Sequence, residues 1–174
     1  VLLIAVGGAI GTVSVRQEAV PTYSLYFVEK NLGSADGGDA LRAEERALHE
    51  EDPSTEELAG ALMAELLKGP SDPTLKSPFP SGTSLNSVKQ AGTEVHVDLS
   101  AVYGTLSGVE LSLADYAVTM TLAQLPDVAR VRITVSGKEL DYRSRQVFVT
   151  RDILFAPKED VVGTVEVQLY FPDE

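Results

Sequence analysis

Two segments of this chain carry apolar residues at helical spacing, and no other feature constrains its fold as much. The first begins with a capping-box pattern, Ser54 with Glu57 three residues later, and ends at Gly69-Pro70. Its apolar stripe comprises Leu58, Leu62 and Leu66. Because an amphipathic helix buries one face, the chain must also supply a surface that covers both helices.

The second helical segment ends at Pro126, which cannot continue a helix. Ser112 is its predicted N-cap, and Asp115 then lies in the first turn, where a negative charge is favoured. The apolar residues form a wide arc, which comprises Ala114, Val118, Leu122 and Leu125, and beside them Leu113, Ala117 and Met120. The width of this arc predicts a helix that is buried over most of its circumference.

Segments with the alternation typical of strands surround the two helices. Residues 23–28 precede the first helix, a hairpin at 84–100 lies between the helices, and residues 129–136 follow the second helix up to Gly137. The resulting order, β-α-β-β-α-β, predicts an α+β fold, a two-layer sandwich in which two helices pack on one face of a mixed β-sheet. The acidic segment at 42–57 is predicted to be solvated surface that leads into the first helix.

The central unit, predicted as one domain over residues 23–140, has an extension at each end. Residues 1–16 open with the uncharged run VLLIAVGGAIGTVSV, which predicts a membrane anchor or a signal-peptide remnant, with a buried strand or core helix as the alternative. Residues 141–163 are predicted as a connector, in which 145–150 form a short strand. Residues 164–174 alternate as a further strand.

The last predicted strand repeats part of the first one. Leu169-Tyr170-Phe171 has the same sequence as Leu25-Tyr26-Phe27. One interpretation of this repeat is that a second copy of the domain begins at residue 164. The alternative is that the last strand pairs beside residues 23–28 and completes a single domain.

Composition and motifs narrow the possible functions. The net charge of −12 argues against nucleic-acid binding, because a polyanion would be repelled, and the lack of cysteine excludes disulfides and thiol catalysis. His96, Asp98 and Ser100 are the residue types of a hydrolytic triad, but residues two apart on a strand lie roughly 6.6 Å apart, too far for proton transfer. We predict that these three residues form a solvent-facing stripe, and we predict no catalytic, cofactor-binding or metal-binding residue.

Three motifs, in this order, resemble the GerMN domain family, which is named for a spore-germination protein. They are Leu66-Leu67-Lys68-Gly69-Pro70, Pro80-Ser81-Gly82-Thr83 and Val97-Asp98-Leu99-Ser100. The resemblance implies an extracytoplasmic, membrane-anchored domain linked to sporulation and spore germination, without established catalysis. GerMN domains are similar to the ring-building motifs of secretion-type complexes and often occur as two tandem copies. Many relatives are lipoproteins, but this chain has no cysteine to carry a lipid.

These observations predict a non-enzymatic module of the cell envelope that assembles with itself or binds another envelope protein. Residues 1–16 would attach it to the membrane, and no cofactor is predicted. The alternative is a peptidoglycan-binding or cortex-processing protein, although the chain has no tryptophan and few other aromatic residues to stack on sugars.

The predicted interaction surface combines a basic strand with an acidic segment. Opposite charges on one chain allow head-to-tail contact between copies, whereas the alternative is ordinary solvated charge. Its residues are Arg130, Arg132, Thr134, Glu44, Glu45, Glu50 and Glu51.

Overall fold

A computed structural model describes residues 20–31 and 40–150 of the chain. The predicted anchor at 1–16 and the predicted last strand at 164–174 lie outside these residues. In chain order the elements are β1 (Thr22–Glu29), β2 (Leu41–Ala47), α1 (Thr55–Lys68), β3 (Leu75–Lys76), β4 (Leu85–Ala91), β5 (Glu94–Leu99), a 3₁₀ turn (Ala101–Thr105), α2 (Gly108–Ala123), β6 (Arg130–Val135) and β7 (Val147–Val149).

The α+β class with two helices is confirmed, but the described strands form two sheets and not the single mixed sheet that we predicted. The smaller sheet has the order β2-β1-β3, and its strands are antiparallel. The larger sheet has the order β4-β5-β6-β7, with β5 and β6 parallel and the outer pairs antiparallel. The sequence order missed β2 because that strand lies within the acidic segment predicted to be solvated surface.

Ionic contacts hold β2 in place, which explains why its sequence, LRAEERA, shows no apolar alternation. Glu44 lies opposite the fully buried Leu25 of β1, so its side chain and that of Arg46 point toward the helices. There Arg46 contacts Glu44, Glu65 of α1 and the carbonyl of Gly69 just past the end of α1. Charges that point inward from an edge strand are a known protection against pairing with other chains.

The core lies between the helices and both sheets. The helix α1 packs on β4, and α2 packs on β1 and β6. Fully buried residues include Leu25, Phe27, Leu62, Val97 and Ile133. Each such side chain contributes roughly 1.5 to 3 kcal/mol through the removal of apolar surface from water.

The start of α1 is as predicted, whereas the start of α2 is not. Ser54 and Glu57 form the expected capping box, with each side chain bonded to the other residue's backbone N–H. In contrast, α2 begins at Gly108, four residues before Ser112, which donates a hydrogen bond to the Gly108 carbonyl within the helix. Asp115 therefore lies in the interior of α2 and not in its first turn, and its role is different, as described below.

The folded domain continues beyond the boundary that we placed at residue 140. Strand β7 pairs with β6, as the short strand at 145–150 predicts. Arg143 is 8% exposed and forms an ion pair with Asp115, with 2.7 Å between Nη1 and Oδ1. Residues 141–150 are thus part of the domain, and the rest of the predicted connector, 151–163, lies outside the described residues.

Both edges of β1 are occupied. On one side β2 pairs along the whole strand. On the other side the side-chain amide of Gln124 accepts a hydrogen bond from the Ser24 N–H and donates one to the Ser24 carbonyl. The hydroxyl of Thr121 then accepts from the Tyr26 N–H, and β3 pairs with the last residues of the strand. Side chains from the last turn of α2 and from its C-cap, Gln124, therefore replace a neighbouring strand along half of this edge.

Candidate interaction surfaces

The predicted basic strand is β6, and its arginines form ion pairs within the domain. Arg132 contacts Glu94 of β5 at 2.9 Å and Glu139 at 2.8 Å, and Arg130 contacts Glu94 at 3.4 Å. Hydrogen bonding to Glu94 is the main reason that the pKa of Arg132 lies above its usual value. The basic character of this face is therefore partly neutralised by its own neighbours.

Thr134, the third residue of the basic strand, is buried and not exposed to solvent. Its hydroxyl donates to Asp98 Oδ1 at 2.6 Å and lies 2.8 Å from His96 Nε2. Since the threonine proton is used on Asp98, the histidine must donate to the threonine oxygen. The strand register places Thr134 directly beside Asp98, which sequence spacing alone does not reveal.

Asp98 accepts hydrogen bonds from several groups at once and anchors the end of β5. Burial alone would raise the pKa of Asp98, but hydrogen bonds from Thr134, Asn86 and the Gly137 N–H outweigh it and hold the pKa below its usual value. His96 and Asp98 do share one side of β5, as predicted, but Asp98 is buried. Ser100 instead accepts a hydrogen bond from the Ser84 N–H, so these three residues form no triad.

The predicted acidic residues divide into structural and exposed ones. Partial burial would raise the pKa of Glu44, but hydrogen bonds from the N–H groups of Ser71 and Asp72, together with Arg46, outweigh it and lower the pKa. Glu45 is exposed and accepts a hydrogen bond from Ser24 at 2.5 Å. Glu50 and Glu51 are exposed in the loop before α1.

The structure does not bring the acidic and basic sets together. Glu44 and Glu45 lie on the smaller sheet, whereas Arg130 and Arg132 lie on the larger one. Among the described residues no ion pair links the two sets. Any contact between them would have to occur between two copies of the chain.

A surface that the sequence did not predict runs along the outside of α2, and we call it the α2 face. It comprises Val109, Ser112, Leu113, Tyr116, Met120 and Ala123, all exposed or half-buried. Val109 is 74% exposed and Tyr116 is 39% exposed. The α2 face carries no charge, because Asp115 is buried and Glu110 lies beside the stripe in the first turn.

The two helices differ sharply in their outward surfaces. The exposed residues of α1 include the charged side chains of Glu56, Glu57 and Lys68, as is usual for a surface helix. The apolar arc of α2 indicated burial on nearly all sides, and its inward residues are indeed buried. The structure, however, leaves the rest of this arc facing outward.

A groove of about 560 Å³ adjoins the first half of the α2 face. Val109 and Leu113 form one side of it, and the proline-rich loop after β3 forms the other, with Pro78 and Phe79. The groove is mainly apolar, and Lys76 and Glu110 lie among its lining residues. Pro80 also lines the groove, so the Pro80-Ser81-Gly82-Thr83 motif, one of the three that resemble GerMN domains, borders this surface.

Two negative findings apply to residues 20–31 and 40–150. No group of three or more acidic or histidine side chains is placed to hold a metal ion. No helix in these parts of the chain is long and apolar enough to cross a membrane.

The fold is that of a GerMN-type α+β domain, as comparison with solved structures shows. The first GerMN domain of the sporulation protein GerM from Bacillus subtilis is 18% identical, with a TM-score of 0.51, and the match covers 69% of this chain and 86% of that domain. The tandem GerMN domains of the same protein give a TM-score of 0.55 at 17% identity, over 76% of this chain and 47% of that one. A candidate lipoprotein from Clostridium perfringens gives a TM-score of 0.51 at 21% identity, over 76% and 89%.

The family itself is shown by the sequence. The model of the Germane family, described as sporulation and spore germination, matches residues 24–141. The chain therefore belongs to this family, and the resemblance to GerMN domains is confirmed. No protein with curated annotation matches the chain significantly.

Proposed function

We propose that this chain is a non-enzymatic, protein-binding module of the bacterial cell envelope that acts in sporulation or spore germination. The α2 face is the observation that carries this proposal. A helix that is apolar nearly all round is normally buried, and an apolar stripe rimmed by polar residues marks a contact site for another protein. The neighbouring groove, lined by Phe79 and Leu113, offers a pocket for an apolar side chain of the bound protein.

The envelope location is part of the same proposal. It is supported by the Clostridium perfringens protein, which is named as a candidate lipoprotein, and by the uncharged run in residues 1–16, which would attach this chain to the membrane. The bound protein would then be a second envelope protein or another copy of this chain. A ring of copies, as in ring-building motifs, is one form that such assembly would take.

Site-specific crosslinking tests the proposal. A photo-crosslinking residue replaces Val109 on the α2 face, and the control places it at Ala64, which is exposed on α1. Each protein is added to a detergent extract of envelopes from sporulating cells and irradiated. We expect discrete crosslinked proteins, identified by mass spectrometry, from position 109 and not from position 64.

Two outcomes would contradict the proposal. One is the same set of crosslinked products from both positions, which would mean that the α2 face has no preferred partner. The other is co-sedimentation with insoluble peptidoglycan without any protein crosslinked at position 109, which would favour a cell-wall ligand instead.

A further inference from the structure

The apolar residues of the α2 face are symmetrically spaced along the helix. Its four largest apolar residues are Val109, Leu113, Tyr116 and Met120, spaced four, three and four residues apart. This is the spacing of the apolar seam in paired helices. The inner pair, Leu113 and Tyr116, and the outer pair, Val109 and Met120, are each centred on the midpoint between residues 114 and 115. A two-fold axis through that point would place the stripe on a copy of itself.

We infer that the partner of the α2 face is a second copy of this chain, bound through an antiparallel α2–α2 contact. This inference rests on the proposed function and names its partner. In the contact, Val109 of each copy lies against Met120 of the other, and Leu113 lies against Tyr116. The groove beside Leu113 would receive the Tyr116 ring, a residue type that is enriched at the centres of interfaces.

The charges of α2 permit this pairing. Glu110 is the one charged residue of α2 outside the core, and in the antiparallel arrangement the two Glu110 positions are separated by nine residues, roughly 14 Å along the axis. That distance exceeds the screening length of about 8 Å at physiological ionic strength. The apolar stripe itself buries no charge in this contact, and the groove that receives the Tyr116 ring is lined by one charge of each sign, Lys76 and Glu110.

The area of the contact predicts a weak dimer. The 16 residues of α2 extend roughly 24 Å, and a strip of that length and about 10 Å width covers roughly 240 Å² per copy. The groove adds to this, but the total remains below the roughly 800 Å² per partner of a standard stable interface. We therefore expect a dissociation constant in the micromolar range or above, on the order of 10⁻⁶ to 10⁻⁴ M.

Salt dependence separates this contact from one made by the charged residues. Each copy has a net charge of −12, so two copies repel each other. Added salt screens this repulsion and strengthens an apolar contact, whereas it weakens a contact between the acidic and basic surfaces. The expected sign of the salt effect is therefore opposite for the two modes of assembly.

Sedimentation equilibrium of the chain tests the inference, with variants that report the register. Val109→Glu and Met120→Lys should each weaken the dimer at least about tenfold, because each buries an unpaired charge. The double variant should recover most of the lost affinity, because the new glutamate of each copy then faces the new lysine of the other copy across the two-fold axis. Val20→Glu is the matched control, because Val20 is 41% exposed and lies outside α2.

Three results would overturn the inference. The first is a protein that stays monomeric at every concentration up to about 1 mM, which is well above the dissociation constant expected from the contact area. The second is a dimer whose affinity Val109→Glu leaves unchanged. The third is a double variant that dimerises no more tightly than either single variant. If the chain is monomeric but still crosslinks to another protein from position 109, the α2 face has a different partner. In that case the proposed function stands and the two-fold contact fails.

Discussion

Arg143 joins three parts of the domain through one buried guanidinium group. It forms an ion pair with Asp115 of α2, donates to the Ile133 carbonyl of β6 and lies 5.7 Å from the ring centre of Phe148 in β7. Asp115 also accepts a hydrogen bond from the buried hydroxyl of Tyr103 at 2.7 Å. Burial raises the pKa of Asp115, although Arg143 and Tyr103 oppose this shift.

Arg143→Met should destabilise the domain by about 3 to 5 kcal/mol at pH 7, because it leaves the buried Asp115 carboxylate without its cation. Loss of the cation raises the pKa of Asp115 further, so Asp115 becomes protonated more readily in the variant as the pH falls. The difference in the free energy of unfolding between the variant and the wild type should therefore shrink at lower pH. Urea unfolding at several pH values measures both effects. Arg145→Met is the control, since Arg145 is exposed two residues away and should change stability by less than about 0.5 kcal/mol.

Asp98 has a pKa shift opposite to that of Asp115. Its pKa is below the usual value in the folded state, so its ionised form stabilises the fold above the unfolded pKa of about 3.9, and this contribution is lost as the pH falls through the folded pKa. Asp98→Asn should therefore lower stability by about 1.5 to 3 kcal/mol at pH 7, and by progressively less as the pH falls below about 3.9. A constant difference across this range, measured by urea unfolding, would contradict an ionic role for Asp98.

Neither of these residues could be assigned from sequence alone, because their partners are distant in the chain. Asp115 lies where an early helix turn was predicted, and only the fold shows that Arg143, 28 residues later, returns to it. Asp98 was predicted to lie on a solvent-facing stripe, whereas the structure buries it. Its bond to Thr134 depends on the parallel pairing of β5 and β6, which local sequence does not encode.

Gln124 completes an edge of β1, and this makes the smaller sheet depend on α2. Gln124→Ala would free the N–H and the carbonyl of Ser24 on a surface strand. We expect the free energy of unfolding to fall by roughly 0.5 to 1.5 kcal/mol. We also expect the amide hydrogen of Ser24 to exchange roughly 2- to 10-fold faster than in the wild type. The Tyr26 amide is the internal control, because Thr121 still accepts its hydrogen bond. Equal acceleration at both amides would indicate general loosening and not a local edge effect.

Elements with local signals were predictable, and elements held by distant contacts were not. The capping box fixes the start of α1 within four residues of sequence, and Gly69 with φ of 89° follows its end as predicted. In contrast, β2 is stabilised by the contact of Arg46 with Glu65 and with the loop after α1, so its charged sequence resembles a solvated segment. The start of α2 was misplaced because Ser107, its N-cap, makes no side-chain cap, and Ser112 has a better capping sequence.

At the scale of the whole domain, residues 20–31 and 40–150 present two kinds of surface on which assembly can be proposed. The charged residues predicted from sequence are largely engaged within the domain, as Arg132 with Glu94 and Glu44 with the backbone of Ser71 and Asp72 show. The residues of the α2 face form no ion pair among the described residues, and the Tyr116 ring, which packs against the Phe148 ring with 6.2 Å between ring centres, remains 39% exposed. Because a solvated ion pair contributes at most about 1 kcal/mol and an apolar stripe gains by burial, the α2 face is the stronger candidate.

Charge reversal decides between these surfaces. If the α2 face mediates self-association, Arg130→Glu with Arg132→Glu should change the dissociation constant by less than about threefold at about 150 mM salt, where long-range repulsion is largely screened. If the acidic and basic surfaces meet head to tail, the same double variant should abolish association at low salt, while Val109→Glu leaves it intact. Sedimentation equilibrium measures both variants, and circular dichroism must first show that loss of the Glu94 ion pairs leaves the fold unchanged. If the charge-reversed protein has a native spectrum but no longer associates, the interface must instead be assigned to the charged residues of β6.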